Sequence, residues 1–556
     1  MKKGTGLKLN YWLCFAVLAG AMLFQCAPPA VISPPPPVRE YPRITPVPKS
    51  PLIRVGLMKG ITILEFSSNS SFEMVPKNGG RAVPCRGGER WRVESLESKP
   101  GKSAFRLLLY ESADLSEARK QAELFKHAGY TVHQEITKSS PLIRGNDNRE
   151  YRIFLQEWFE TWDEARAVQK ARWPDSDTHI VRRIQSEGSG RFRLTNTQTG
   201  EIRESVQPVI IQGADIILHD VPVGVGFHWE TRETRTYPGK IEMTFDIDGL
   251  LAVVNIVSLE NYLKGVVPSE MSEGFPIEAL KAQAIAARGK AMGNWGIVHA
   301  SDPYDVCADV HCQVYSGLSK RSAKTDYAVD KTAGLFITKD DKICDAIFGA
   351  VCGGHTEDVE KAWGGEQIDY LRGRIDGSPW LNRYGSLQNE DNLKRWIDDS
   401  PDAFCNTRRI KLPDGMKYTE KYFRWETRLS QTSLQQAIES HTGEQVGQIR
   451  ELNPLARGVS GRITQLEVAG TRKTIIIKGE LNIRKALSKT TLWSACFYVE
   501  KSGLASLPEY FILKGAGFGH GVGMCQTGAA IMALRGRKFH HILKHYYKGV
   551  RIAKLY

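Results

Sequence analysis

No nucleotide-binding signature is present in this chain. The glycine-dense stretch Lys514 to Ala530 never satisfies G-x-G-x-x-G: Gly515 and Gly517 lead to His520, Gly517 and Gly519 to Val522, and Gly519 and Gly521 to Met524. With no Walker lysine either, a phosphate cradle is disfavoured. Nor is there a Lys/Arg cluster interleaved with aromatics. The net charge of +13, from 75 basic against 62 acidic residues, is diffuse; it suits an acidic polymer or an anionic lipid surface, and nucleic acid is not expected as a partner. Cysteine is scarce, ten in 556 residues, too sparse for a disulfide scaffold. What is there is an ordinary globular composition, 41% hydrophobic and 25% charged, in a chain too long for one core and sized for roughly three or four units.

The N-terminus carries an address. Lys2, Lys3 and Lys8 precede a short apolar core, Tyr11 to Phe24, below the roughly 20 residues that span a bilayer. Residues 1–26 therefore read as an export signal. Leu23-Phe24-Gln25-Cys26 resembles a bacterial lipoprotein box, which implies lipidation of Cys26 and attachment to a membrane; a plain cleaved signal or an uncleaved anchor is the alternative. Either way the chain is expected in the cell envelope. Residues 27–51, with Pro34 to Pro37, Pro42, Pro46 and Pro48, form an extended, semi-rigid linker.

Alternating apolar positions predict a β-rich segment over 52–103, with Leu52–Leu57 a strand and Ile61 to Phe66 its partner, and a second over 187–240. Between them, 104–186 holds a pseudo-repeat of strand, helix, strand: Phe105 to Tyr110, Ser116 to Ala128 and Tyr130-Thr131-Val132, then Tyr151 to Leu155, Thr161 to Arg172 and His179-Ile180-Val181. Two such units make a split βαβ sandwich. The pattern resembles the SPOR domain, a peptidoglycan-binding module that grips glycan stripped of stem peptides; a structural spacer is the plainer reading. The expected fold class is α+β and multidomain.

Three stretches carry chemistry. Leu259 to Met271 sets Glu270 in a turn between an apolar strand and a strong helix, where apolar neighbours raise a carboxyl pKa as general-acid work requires. The helix begins at Pro276 and buries Ile277, Leu280, Ala284, Ala287 and Ala291 along one face. His299, Cys307, His311 and Cys312 supply the thiol and imidazole donors that zinc prefers, with a Cys307–Cys312 disulfide or simple buried thiols as alternatives. Cys352-Gly353-Gly354-His355 offers another thiol and imidazole. In the third stretch a glycine at every second position from 515 to 523 suggests a tightly apposed loop presenting His520 and Gln526 to a cleft, with a tight structural turn and His520 satisfied in the core as the alternative.

Glu260 to Met271, Ala279 to Arg288, His311 to Tyr315, Gly353 to Glu357 and Gly517 to Gln526, in that order, resemble the SpoIID/LytB family of sporulation lytic transglycosylases and amidase enhancers. The resemblance runs from about 241 to 556, with an insertion at about 382–439. It implies cleavage of the bond between N-acetylmuramic acid and N-acetylglucosamine in peptidoglycan strands lacking stem peptides, with Glu270 as catalytic acid/base. A single carboxylate suffices when the sugar's own 6-hydroxyl attacks and closes a 1,6-anhydro ring, whereas hydrolysis uses two. It also implies Gln313, Tyr315, Gly353, Gly354, Thr356, His520 and Gln526 at the substrate, and zinc on His299, Cys307, His311 and Cys312. Adjacent His311 and Cys312 are awkward ligands for one ion, so Cys352 or His355 could replace one. The alternative function is a non-catalytic, wall-binding enhancer of a separate cell-wall amidase.

Overall fold

In a computed structural model the described residues are 49–556, except 113, 139–148, 174–177, 226–229, 294–297, 341 and 505. The signal segment, Cys26 and nearly all of the proline-rich linker lie outside them. Among the described residues no helix is long and apolar enough to cross a membrane.

The two β-rich segments and the strands that follow them form one body rather than separate units. A seven-stranded sheet runs in the order Val306–Cys307, Leu52–Ile61, Leu251–Ser258, Lys240–Phe245, Val209–Gln212, Phe72–Pro76, Val83–Cys85. A six-stranded sheet runs Ile202–Ser205, Ser189–Asn196, Arg90–Lys99, Ile63–Ser67, Ile216–Val223, Thr231–Tyr237. Val55, Phe66, Trp91, Val93, Ile211, Leu218, Ile241 and Val253 share their core. The expected pairing of Leu52–Leu57 with Ile61–Phe66 is wrong. Ile53 instead pairs with Val257, and Ile63–Ser67 joins the other sheet beside Arg90–Lys99. Gly60, at φ +69°, turns the chain between the two, its N–H donating to Asp246 Oδ2 at 2.7 Å. Alternation reveals a strand's faces but not a partner about two hundred residues away, so local reading chose the nearest candidate.

The intervening segment folds on its own core. Its sheet runs Val132–Lys138, Arg149–Leu155, Lys102–Ser112, His179–Ser186, with every neighbour antiparallel, so the first and third run parallel with a strand slotted between them. Helix α1 (Leu115–His127) starts where Asp114 accepts from the N–H groups of Ser116 and Glu117; α2 (Trp162–Arg172) starts at a Thr161/Glu164 capping box. Ala122, Phe125 and Ala165 pack on Leu107, Tyr110 and Ile153. The whole unit emerges between Arg90–Lys99 and Ser189–Asn196, which pair with each other, Ser189 opposite Lys99. Replacing residues 102–186 with a short glycine-serine link is therefore expected to leave the urea midpoint of the β body unchanged. A chain that no longer unfolds cooperatively would show instead that the unit is integral.

After strand Leu251–Ser258 come α3 (Leu259–Glu270) and α4 (Ile277–Gly293). Helix α4 is buried nearly all round because it lies between two cores: Leu280, Ala284, Ala287 and Ala291 face the β body, while Ala282, Ile285 and Ala286 face a second cluster with Cys352, Trp396 and Met524. Its alanines let both layers approach closely. A third core is built by α5 (Gln431–Thr442), α6 (Glu480–Ala486) and two three-stranded sheets. The stretch expected as an insertion at 382–439 does not close on itself. Strand Arg424–Ser430 is paired along its length with Leu507–Ala516, and α5 packs beside α6, so the last residues of that stretch belong to a lobe that runs on past 439.

Candidate active site and metal centre

Glu270 does not sit in a turn; it is the last residue of α3. Ser258 caps the helix, its hydroxyl accepting from Asn261 N–H at 3.3 Å, and the run continues through Pro268, which lies in the final turn. There Ser269 Oγ donates to the Gly265 carbonyl at 2.7 Å. Gly265 is required by approach: a Cβ there would lie 2.5 Å from the Tyr315 ring. The helix end thus seats against the 313–317 loop. From that segment Val314 N–H donates to Glu270 Oε1 at 3.0 Å, and on the other side Gln526 Nε2 donates to Oε2 at 3.3 Å. Gln526 opens α7 (Gln526–Leu534) and also approaches Gln283 Oε1 of α4, at 3.5 Å.

The Glu270 side chain is half-buried, and its pKa is raised: burial outweighs the Val314 and Gln526 hydrogen bonds and the charge of exposed Lys320. Among the described residues no second carboxylate is hydrogen-bonded to it. Tyr418, on the short helix Asp414–Lys421, is 49% exposed yet close enough to feel the Glu270 charge. That helix docks through Gly415 against Gly274, in the turn after Glu270, where a Cβ on Gly274 would meet Gly415 Cα at 2.6 Å.

The His/Cys residues converge. His299 Nε2 lies 3.2 Å from Cys312 Sγ, and His311 Nδ1 lies 3.8 Å from both Cys307 and Cys312 sulfurs. One ligand atom from each of the four fits within 4.8 Å of the others. His299 Nδ1 is held by Asp302 at 2.8 Å, itself bonded by Lys59 at 2.9 Å, the outer carboxylate that orients a metal-ligating imidazole. Both adjacent residues, His311 and Cys312, point into the cluster, so neither needs replacing. This two-nitrogen, two-sulfur set fits tetrahedral zinc with no open position.

Residues 248–338 match the family described as Stage II sporulation protein, and 357–523 match a domain of unknown function. The Stage II sporulation protein D of Bacillus amyloliquefaciens is 31% identical over 316 residues, 54% of this chain and 76% of that protein. The chain belongs to the SpoIID/LytB family. An uncharacterized protein of Brachyspira hyodysenteriae is 30% identical over 334 residues, 59% of this SpoIID/LytB chain and 76% of its own. The amidase enhancer of Bacillus subtilis is 24% identical over 318 residues, 52% of this chain and 40% of the enhancer.

Of the substrate residues expected in this SpoIID/LytB protein, only Gln526 touches Glu270. Gln313 is 2% exposed and donates to Tyr262 Oη and the Ala287 carbonyl, both at 3.2 Å. Tyr315 is fully buried, its hydroxyl donating to Asn255 Oδ1 at 2.7 Å. Thr356 is likewise interior, bonded to the Arg374 backbone. Gly353 and Gly354 are buried against Ala516 and Trp396. These five shape the scaffold, since a side chain or backbone packed inside cannot grip a polymer. His520 is also a brace. Its Nδ1 accepts from Val522 N–H at 3.0 Å and its Nε2 meets the Phe348 carbonyl at 3.1 Å, while burial and then Arg462 push its pKa down to about 3. The alternating glycines around it have φ between +72° and +94° from Gly517 to Gly523, and a Cβ on Gly521 would strike Arg462 at 2.4 Å. His355, its Nδ1 on the Thr356 carbonyl at 2.7 Å, and Cys352 both lie outside the His/Cys cluster.

Two residues escaped the sequence reading. Gln283 was visible only as one polar position in an alanine-rich helix, and it carries a buried Nε2 with no protein partner. Tyr418 lay inside the presumed insertion and had no motif to mark it.

Proposed function

We propose that the protein is a peptidoglycan lytic transglycosylase with Glu270 as its single general acid/base. The observation that carries this is a half-buried carboxyl with a raised pKa, aimed by the Val314 N–H and Gln526, with no second carboxylate hydrogen-bonded to it among the described residues. Protonated Glu270 gives its proton to the glycosidic oxygen as the bond to C1 of N-acetylmuramic acid breaks. The carboxylate then takes the proton of the 6-hydroxyl as that oxygen closes on C1. The proton count returns to its start, and no water is consumed. Half-exposed Tyr418 supplies an aromatic face on which a sugar ring can lie.

Digestion of purified denuded glycan strands tests the reaction: mass spectrometry is expected to find 1,6-anhydromuramyl ends. New reducing ends would indicate hydrolysis and overturn the mechanism. Because the acid must be protonated for the first step and its pKa is raised, turnover is expected to fall as pH rises through that raised value. The second reading, an enhancer of a cell-wall amidase, draws on the similarity to the Bacillus subtilis protein of that name. It requires stimulation of an amidase that survives loss of Glu270.

Zinc on His299, Cys307, His311 and Cys312 belongs to this proposal as a four-point crosslink, not as a carrier of reactive water. It would brace the segment that ends at Val314 and so the N–H on Glu270. The His299→Ala/Cys307→Ser chain is expected to lose one zinc ion per molecule and to melt at lower temperature; unchanged metal content would remove zinc from this site. The unit at 102–186 is proposed to bind glycan, with exposed Trp158 and Trp162 as stacking surfaces. Export to the envelope and anchoring through Cys26 complete the proposal.

A further inference from the structure

A second set of thiols lies apart from the His/Cys cluster. Cys352, Asp376, Cys405 and Cys525 are all buried, and one ligand atom from each lies within 4.8 Å of the other three. They come from four separate segments: the loop after Phe348–Gly349, the turn before Pro379–Tyr384, the loop after Glu390–Asp398, and the N-cap of α7. We propose that they form a second metal site that takes a zinc-class divalent ion through three thiolates and one carboxylate oxygen.

The spacing is that of a coordination shell. Cys352 and Cys405 sulfurs stand 3.6 Å apart, close to the ~3.8 Å that separates two sulfurs on a tetrahedral ion with Zn–S of about 2.3 Å. A disulfide would bring them to about 2.05 Å, and it would leave Cys525 and Asp376 without a purpose. Cys352 Sγ lies 3.2 Å from Asp376 Oδ2, a sulfur–oxygen edge of similar size.

The surroundings suit ligands rather than inert thiols. Cys525 Sγ accepts from the N–H groups of Cys352 and Gly528, both at 3.3 Å, an arrangement that favours a sulfur bearing negative charge. Asp376 is fully buried. Its other oxygen accepts from Tyr546 Oη at 2.8 Å and faces His545 Nε2 at 3.2 Å, the outer contacts that orient a ligating carboxylate. Among the described residues no lysine or arginine pairs with it. An interior carboxylate facing three thiols is costly unless a cation joins them. Binding would release the three thiol protons to solvent; three thiolates and a carboxylate outweigh the charge of a divalent ion, and the N–H groups on Cys525 with the Tyr546 and His545 contacts on Asp376 face that excess. The location gives the ion a consequence: Cys525 precedes Gln526, so the site would pin the residue that contacts Glu270.

Native mass spectrometry of the full chain, purified without chelator, is expected to count two zinc ions per molecule. His299→Ala/Cys307→Ser and Cys405→Ser are each expected to hold one. No ion in His299→Ala/Cys307→Ser, an undiminished count in Cys405→Ser, or a Cys352–Cys405 linked peptide in an unreduced digest would each overturn the proposal, whereas an ion lost from His299→Ala/Cys307→Ser with another retained concerns the His/Cys cluster alone. Should Cys405→Ser fail to fold, the unaltered chain loaded with cobalt decides. Thiolate-to-cobalt absorption corresponding to five sulfur bonds supports the second site, and that of the two sulfurs in the His/Cys cluster sinks it.

Discussion

Glu270→Gln is expected to lower the rate of 1,6-anhydro end formation by about 10²–10⁴-fold, the usual share of positioned acid–base catalysis. The substitution is nearly isosteric and keeps an oxygen to accept from Val314 N–H. Gln526 can turn its amide to present oxygen to the new nitrogen, so the pocket need not move. Stability separates a chemical loss from a folding loss. A carboxyl whose folded pKa is raised contributes stability that is fully present below its unfolded value, about 4.3, and lost as pH rises through the folded one. Above that folded pKa the ionised carboxylate is therefore a burden, and there the glutamine chain is expected to melt at the same temperature or higher. A glutamine variant that still makes anhydro ends at the unaltered rate would end the assignment of Glu270.

Arg288→Met is expected to be the most destabilising single change, at about 3–5 kcal/mol for breaking a buried pair, with the lower end favoured by the 15% exposure of the Glu260 side chain. Arg288 Nε and Nη2 donate to the two Glu260 oxygens at 2.9 and 2.8 Å, and Nη1 donates to the Leu335 carbonyl at 3.0 Å. Glu260 also accepts from Gly334 N–H at 3.3 Å and from Tyr556 Oη. One guanidinium thus ties α3 to α4, and its partner ties both to the end of the chain. Urea unfolding followed by tryptophan fluorescence measures the loss. A second change, Glu260→Leu, is expected to recover part of it, because no charge is then stranded. A loss under about 1 kcal/mol in the single variant would mean that the pair behaves as a surface bridge.

The chain resembled its family because short motifs are contiguous, and contiguity was enough to mark Glu270, the apolar face of α4, and the four donors of the His/Cys cluster, which lie within fourteen positions of one another. The same contiguity misled where a motif residue serves the scaffold. Tyr315 and Gly265 belong together because ring and backbone touch, and Thr356 is bound to Arg374; in sequence these are indistinguishable from residues that meet substrate. Burial was the missing quantity. Glu270 was read in a turn, whereas α3 runs through it: Gly265 and Pro268 are poor helix formers, and packing against Tyr315 outweighs that propensity.

By itself the sequence determined the family, the identity of the candidate acid and the presence of metal-type donors, since each depends on residue type at short range. Only the tertiary structure decided which strands pair, that Gln526 reaches Glu270 across 256 positions, and that Cys352, Asp376, Cys405 and Cys525 meet. Those relations depend on how distant segments close on one another, and local pattern holds no record of the closure.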